Sequence, residues 1–180
     1  MGIGYTRTDT VKALAYFNES IKIAESIASK IQIARSLGAM GILYGISGQN
    51  IKAVECYQKT IAIATELNDN QIKAKNYINL AQAYNRMGNS SLAIESYNQA
   101  LNAYELFDDK LGMASCYNSL GNLYEIQGNF PLAVDCGQKG LKIREELNDK
   151  AGISTSLISI AGLYFNQKNY EKALDYLKRS

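Results

Sequence analysis

Apolar and small residues recur along this chain with a short period set inside a long one. The short period is helical: Leu37, Met40, Gly41 and Tyr44 stand at i, i+3, i+4 and i+7, which puts them on one face of a helix. The same face returns as Tyr77, Leu80, Ala81, Tyr84, then as Tyr117, Leu120, Gly121, Tyr124, and again as Leu157, Ile160, Ala161, Tyr164. A second helix follows each of these, with Ala53, Tyr57, Thr60, Ile61 and Ala64 on one side of the first such helix. The long period is 40 residues, kept without a slip by Ala13, Ala53, Ala93, Ala133 and Ala173. Self-similarity at roughly 20–50 residues marks a stack of like modules, each too thin to bury its own apolar face. No apolar alternation with turn punctuation competes for a strand.

Between the helices the turn chemistry repeats as well. Gly48-Gln49-Asn50, Gly88-Asn89-Ser90 and Gly128-Asn129-Phe130 each offer a left-handed glycine to end one helix and an Asn to cap the next. Asp69, Asp109 and Asp149 stand where the following first helix begins, as N-caps favoured by the helix dipole. Pro131, the only proline, falls in a first turn, where it is tolerated. Small residues at Gly41, Ala81, Gly121 and Ala161 face the alanine series and let helix backbones approach closely, with tyrosines filling the wider gaps. The pattern predicts an all-α, right-handed superhelical solenoid of antiparallel helix pairs, about nine helices in one array over 1–180. Its units are a partial repeat 1–29, repeats 30–69, 70–109 and 110–149, and a final repeat 150–180. Neither end shows the polar cap a solenoid normally carries, so the chain reads as a piece of a longer protein.

The repeated positions resemble the tetratricopeptide repeat, whose first helix carries an aromatic or Leu, then Leu-Gly, then Tyr, and whose second carries Ala, aromatic, Ala. Here the motif runs Leu37, Met40-Gly41, Tyr44, Ala53, Tyr57 and again Tyr77, Leu80-Ala81, Tyr84, Ala93, Tyr97, Ala100. The resemblance covers nearly the whole chain. The 40-residue spacing, against the usual ~34, is similar to the long variety in spindle-orientation adaptors and to repeats that precede bacterial signalling domains. What it implies is a non-enzymatic scaffold that binds a peptide segment of a partner protein on its concave face, which first helices line. The residues implied are those of the first helices that lie off the packing face: Arg35, Ile42, Lys75, Ile78, Gln82, Asn85, Arg86, Asn118, Asn122, Phe165 and Asn166, with Gly38, Ile46, Ser115, Glu125, Thr155, Ile158 and Gly162 beside them. Amides can donate to and accept from a peptide backbone, and the cations would favour carboxylates on it. Two other readings stay open: a ligand-sensing segment of a larger signalling protein, and an array that self-associates through uncapped ends.

Composition narrows the chemistry. A net charge of +2 argues against a general affinity for nucleic acid or anionic membrane, both of which want clustered basic surface. No apolar run approaches the ~18 residues of a membrane span, so membrane insertion is not expected. Met1-Gly2 to Thr6 fits a loose myristoylation pattern, which a chain starting within a repeat makes a weak sign. There is no histidine and no C-x-x-C, which leaves no metal site of the usual Cys/His kind, no His-based acid–base catalysis and no implied cofactor. Cys56, Cys116 and Cys136 are expected to be reduced, buried thiols in a cytoplasmic protein. Gly45-Ile46-Ser47-Gly48 lacks the strand and the Gly-Lys-Ser/Thr of a phosphate loop, and Glu105 and Glu145 read as solvated charge. Gly137 and Gly140 break the pattern where Tyr97 and Ala100 stand one repeat earlier. They leave either a dimple for a partner's side chain or a space into which neighbouring tyrosines repack.

Overall fold

A computed structural model describes residues 7–180, with side chains from residue 10 onward. The Met1–Thr6 pattern therefore lies outside the described residues. The described chain is nine α-helices joined by short turns: α1 (Arg7–Ser26), α2 (Lys30–Ile46), α3 (Asn50–Glu66), α4 (Asn70–Arg86), α5 (Ser90–Glu105), α6 (Lys110–Ile126), α7 (Phe130–Glu146), α8 (Lys150–Asn166) and α9 (Tyr170–Arg179). No strand occurs among these residues. The fold is the all-α helical-repeat class expected.

One turn design is used again and again. Gln49 N–H donates to Tyr44 C=O at 2.8 Å, Asn89 N–H to Tyr84 C=O at 2.9 Å and Asn129 N–H to Tyr124 C=O at 2.8 Å. These bonds close each helix around a left-handed residue. Gly48, Gly88 and Gly128 hold φ of 74°, 75° and 73°, and the same turn is made by Asn68, Asn148, Ala28 and Lys168 at 53°, 54°, 50° and 60°. The next helix is then capped by a side chain. Asp69, Asp109 and Asp149 accept from Ile72, Gly112 and Gly152 N–H at 2.9, 2.8 and 3.0 Å. Asn89 and Asn129 accept from Leu92 and Leu132 N–H. The expected cap at Asn50 is not made. It stands one residue later than Asn89 and Asn129, so Gln49 takes the cap position without a side-chain bond and Asn50 Oδ1 accepts from Arg86 instead.

The helices pack as two compact units, Met1–Phe107 and Asp108–Ser180. In the first, α1 packs on α2, α2 on α3 and on α4, α3 on α4, and α4 on α5. Its core gathers Ala53, Tyr57, Ile61, Leu80 and Ala83, ringed by the half-buried Tyr44, Tyr77 and Tyr84. Gly41 is required here, because a Cβ would stand 2.5 Å from Tyr57 Cε1. Burying a side chain of that size contributes roughly 1.5–3 kcal/mol. In the second unit α6 packs on α7, α7 on α8 and α8 on α9. Leu141, Leu157 and Ile160 form its core, with Tyr164 stacked on Tyr176 at 5.5 Å between centroids.

Candidate functional site

In the first unit the contact of α2 with α4 brings the two first helices side by side. Arg35, Lys75, Gln82, Asn85 and Arg86 are exposed, Ile42 is 46% exposed, and Ile78 is half-buried. Arg86 is turned back onto the preceding repeat. Its Nε donates to Asn50 Oδ1 at 3.1 Å, and its Nη2 sits 3.0 Å from where a Cβ at Gly45 would be. Gly38 is not on this face at all. It is buried, and the space beside it is filled by Asn76, whose Nδ2 donates to Ile72 C=O at 2.8 Å while its buried Oδ1 has no partner. Tyr57 beneath α2 has its phenol pushed up to about 12 by burial, against a smaller opposing pull from Arg86.

In the second unit Asn118 and Asn122 lie on α6, with Phe165 and Asn166 on α8. Asn118 and Asn122 meet at a hollow of about 410 Å³, lined also by Gly121 and Glu125 from α6, Ala133 and Gly137 from α7, and Thr155, Ser159, Ile160, Gly162 and Leu163 from α8. Phe165 and Asn166 do not line it. Phe165 is 61% exposed and meets the ring of Tyr170 edge-on, and Asn166 Nδ2 donates to Glu125 Oε1 at 2.8 Å. Gly137 is part of the reason the space is open, since Tyr57 and Tyr97 stand at the equivalent places. No tyrosine moves in. Ile160 leans over Gly137 instead, its Cγ1 2.8 Å from where a Cβ would be.

One residue of this region was missed by sequence reasoning. Arg144, on α7, is only 9% exposed. Its Nη1 donates to Ser156 Oγ at 2.6 Å and to Asn118 Oδ1 at 3.1 Å, and its Nε lies 3.9 Å from Asp149 Oδ2. A Cβ at Gly140 would come 3.0 Å from Asn118 Oδ1, and one at Gly152 would run into the stem of Arg144. The two glycines make the cation's room. The available signal was an Arg at a position occupied by Tyr104 and Ala64 in other repeats, with both glycines nearby in sequence. Because a guanidinium only donates, it also fixes which end of the Asn118 amide faces it.

The cysteines are free and buried. Burial pushes the Cys116 thiol up to about 12 and raises those of Cys56 and Cys136. Such thiols are poor nucleophiles. No described helix is long and apolar enough to cross a membrane.

A family model described as Tetratricopeptide repeat matches residues 5–66, 32–106, 73–146 and 112–180. No curated protein matches the chain. Among solved structures, BtubC from P. vanneervenii is 24% identical over 95% of this chain and 71% of that one, with a TM-score of 0.85. A signal transduction ATPase with numerous domains and a tetratricopeptide repeat sensor, from Pyrococcus horikoshii, is 22% identical over 88% of this chain and 25% of its own, with a TM-score of 0.79. A Rap protein complexed with competence and sporulation factor is 16% identical over 96% of this chain and 48% of its own, with a TM-score of 0.72. At these identities the likeness is one of fold.

Proposed function

The chain belongs to the tetratricopeptide repeat family, and from that premise we propose that it is a non-enzymatic scaffold holding a peptide segment of a partner protein along the face of its first helices. One observation carries the chemistry of the ligand. Neither α2 nor α4 carries a carboxylate. Lys30 is paired with Glu66 on α3, while Arg35 on α2 and Lys73, Lys75 and Arg86 on α4 make no ion pair among the described residues. A segment of acidic character suits that surface, since Arg grips a carboxylate through a planar fork and Lys supplies a point charge. The face consists of helices already held by turns and core, so binding costs mainly the ligand's own conformational freedom. The Rap protein complexed with competence and sporulation factor supports the same reading by analogy of fold. Three unpaired thiols suit a reducing compartment such as the cytoplasm.

Affinity capture with the full-length protein tests this against a variant carrying Lys75→Glu, Arg86→Glu and Asn122→Ala. The reading requires that the variant lose partners the unaltered protein retains. Equal capture by both would refute it and leave the fold intact.

A second reading is a ligand-sensing segment of a larger signalling protein. It is favoured by the likeness to a sensor that is part of a much longer ATPase. An effector domain in the same polypeptide, with an output that follows ligand binding, would establish it; an output indifferent to ligand would dismiss it.

A further inference from the structure

We infer that Arg144 is a positioning residue for ligand binding: it holds the oxygen end of the Asn118 amide and leaves the amide N–H2 group to donate to a backbone carbonyl of a bound peptide. This inference rests on the peptide-binding reading and names what the hollow of the second unit recognises in the peptide.

The arrangement is peculiar to one repeat. Asn118 stands where Gly38, Ile78 and Ile158 stand in the other first helices, and Arg144 where Ala24, Ala64 and Tyr104 stand in the other second helices. Packing alone does not call for a cation, since alanine or tyrosine fills that place elsewhere. At 9% exposure Arg144 has also given up most of its hydration. Its partners in exchange are Ser156 Oγ at 2.6 Å, Asn118 Oδ1 at 3.1 Å and, at 3.9 Å, Asp149 Oδ2.

The consequence falls on Asn118. A guanidinium donates and never accepts, so the amide cannot turn its nitrogen towards Arg144. Asn118 Nδ2 makes no hydrogen bond among the described residues and keeps access to solvent. The residue lines the hollow together with the exposed amide of Asn122, one turn further along α6.

The rest of the lining selects among acceptors. Thr155 Oγ1 and Ser159 Oγ give their protons to Ala151 C=O at 2.9 Å and Thr155 C=O at 3.0 Å, so both present lone pairs to the hollow. Glu125 adds a carboxylate, which repels an anion. A ligand carboxylate would suit Asn118 and be opposed by Glu125. A peptide group is neutral and has both halves: its carbonyl accepts from Asn118, and its N–H serves the oxygens of α8.

The test uses the whole chain and the capped, uncharged peptide acetyl-Ala-Ala-Ala-methylamide, which offers backbone groups and no acidic side chain. Proton–nitrogen NMR should show saturable shifts of the Asn118 side-chain N–H2 signals, with a Kd on the order of 1 mM. Asn118→Asp keeps an oxygen towards Arg144 and removes only the outward donor. It should weaken the peptide about tenfold without lowering the melting temperature. Arg144→Met keeps the stem and frees the amide to flip, and should weaken binding about 2–5-fold in the native background. In an Asn118→Ala background the same change should do nothing further, whereas a merely structural role would weaken binding equally in both. Equal losses in the two backgrounds, undiminished binding by Asn118→Asp, or no Asn118 shift at about 20 mM peptide would each overturn the assignment. Should Arg144→Met fail to fold, Asn118→Asp decides alone. The acidic-peptide reading stands or falls separately, on partner capture by the charge-reversed variant.

Discussion

Asn76 and Gly38 form a pair whose coupling can be measured. Asn76 is 7% exposed, donates through Nδ2 to Ile72 C=O, and leaves Oδ1 buried with no partner. Flipping the amide does not help, because it would set oxygen against oxygen at Ile72. A buried acceptor left unmet costs about 1–3 kcal/mol. Asn76→Ser removes that carbonyl, and its hydroxyl can remake the bond to Ile72 C=O as Ser96 does to Leu92 C=O at 2.7 Å. The void left by a couple of heavy atoms costs roughly 0.5–0.7 kcal/mol, at about 24 cal/mol per Å³. Asn76→Ser should therefore stabilise by about 1 kcal/mol, and Ser36 and Ser156 already occupy the same place in other repeats. Gly38→Ala gains about 1 kcal/mol of helix propensity. In the native background its Cβ would stand 3.1 Å from Asn76 Oδ1, an overpacking that cancels or outweighs the gain. In the Asn76→Ser background its nearest remaining neighbour is Thr60 Cγ2 at 3.8 Å, and the gain should appear in full. Urea unfolding of the four proteins measures the cycle, and a coupling of about 1–2 kcal/mol is expected. Additivity within about 0.3 kcal/mol, or a destabilised Asn76→Ser, would show that the oxygen is not stranded as described.

Lys168 sits at φ 60° in a turn that Gly128 makes at 73°. Lys168→Gly should stabilise by about 0.5–1 kcal/mol and Gly128→Ala should destabilise by about 1 kcal/mol, read from thermal unfolding. Tyr57 and Cys116 keep their protons to about 12, whereas their ordinary values are 10.0 and 9.0. The unfolded chain therefore releases protons first, so stability is full below pH 9 and declines as pH rises towards 12. Urea midpoints measured across this range should show the decline, and Cys116→Ala should make it shallower. Arg144→Ala removes the donor shared by Asn118 and Ser156 and should cost about 2–3 kcal/mol. A loss below about 0.5 kcal/mol would mean that those two groups find other partners.

The helices and most of their ends were legible because their causes are local. An Asp two or three residues before an apolar face caps that helix whatever lies elsewhere, and a glycine at a turn adopts positive φ by itself. Asn50 shows how narrow that legibility is: one residue of displacement moved it from a cap to a partner for Arg86. The site residues depended on causes further away. Gly38 shares the first-helix spacing of the surface positions, but the roll of α2 against α4 turns it under Asn76. Arg144 looked like an ordinary charged residue near a helix end, and only Gly140 and Gly152, on two helices, make its burial feasible. Asn118 and Asn122 were picked out with Phe165 and Asn166 by periodicity. The first two share one hollow, while Phe165 turns to Tyr170 and Asn166 to Glu125.

Among the described residues, the side-chain bonds between different helices stay within one repeat or reach its neighbour. Lys30 reaches Glu66 and Lys110 reaches Glu146, each 36 residues ahead, and Asn166 to Glu125 spans 41. During synthesis, each stretch of chain leaving the ribosome would already have its lasting partners within about one repeat behind it. Such a polypeptide need not wait for its last residue before acquiring order, and loop closures this short favour fast, progressive folding over a late collective collapse.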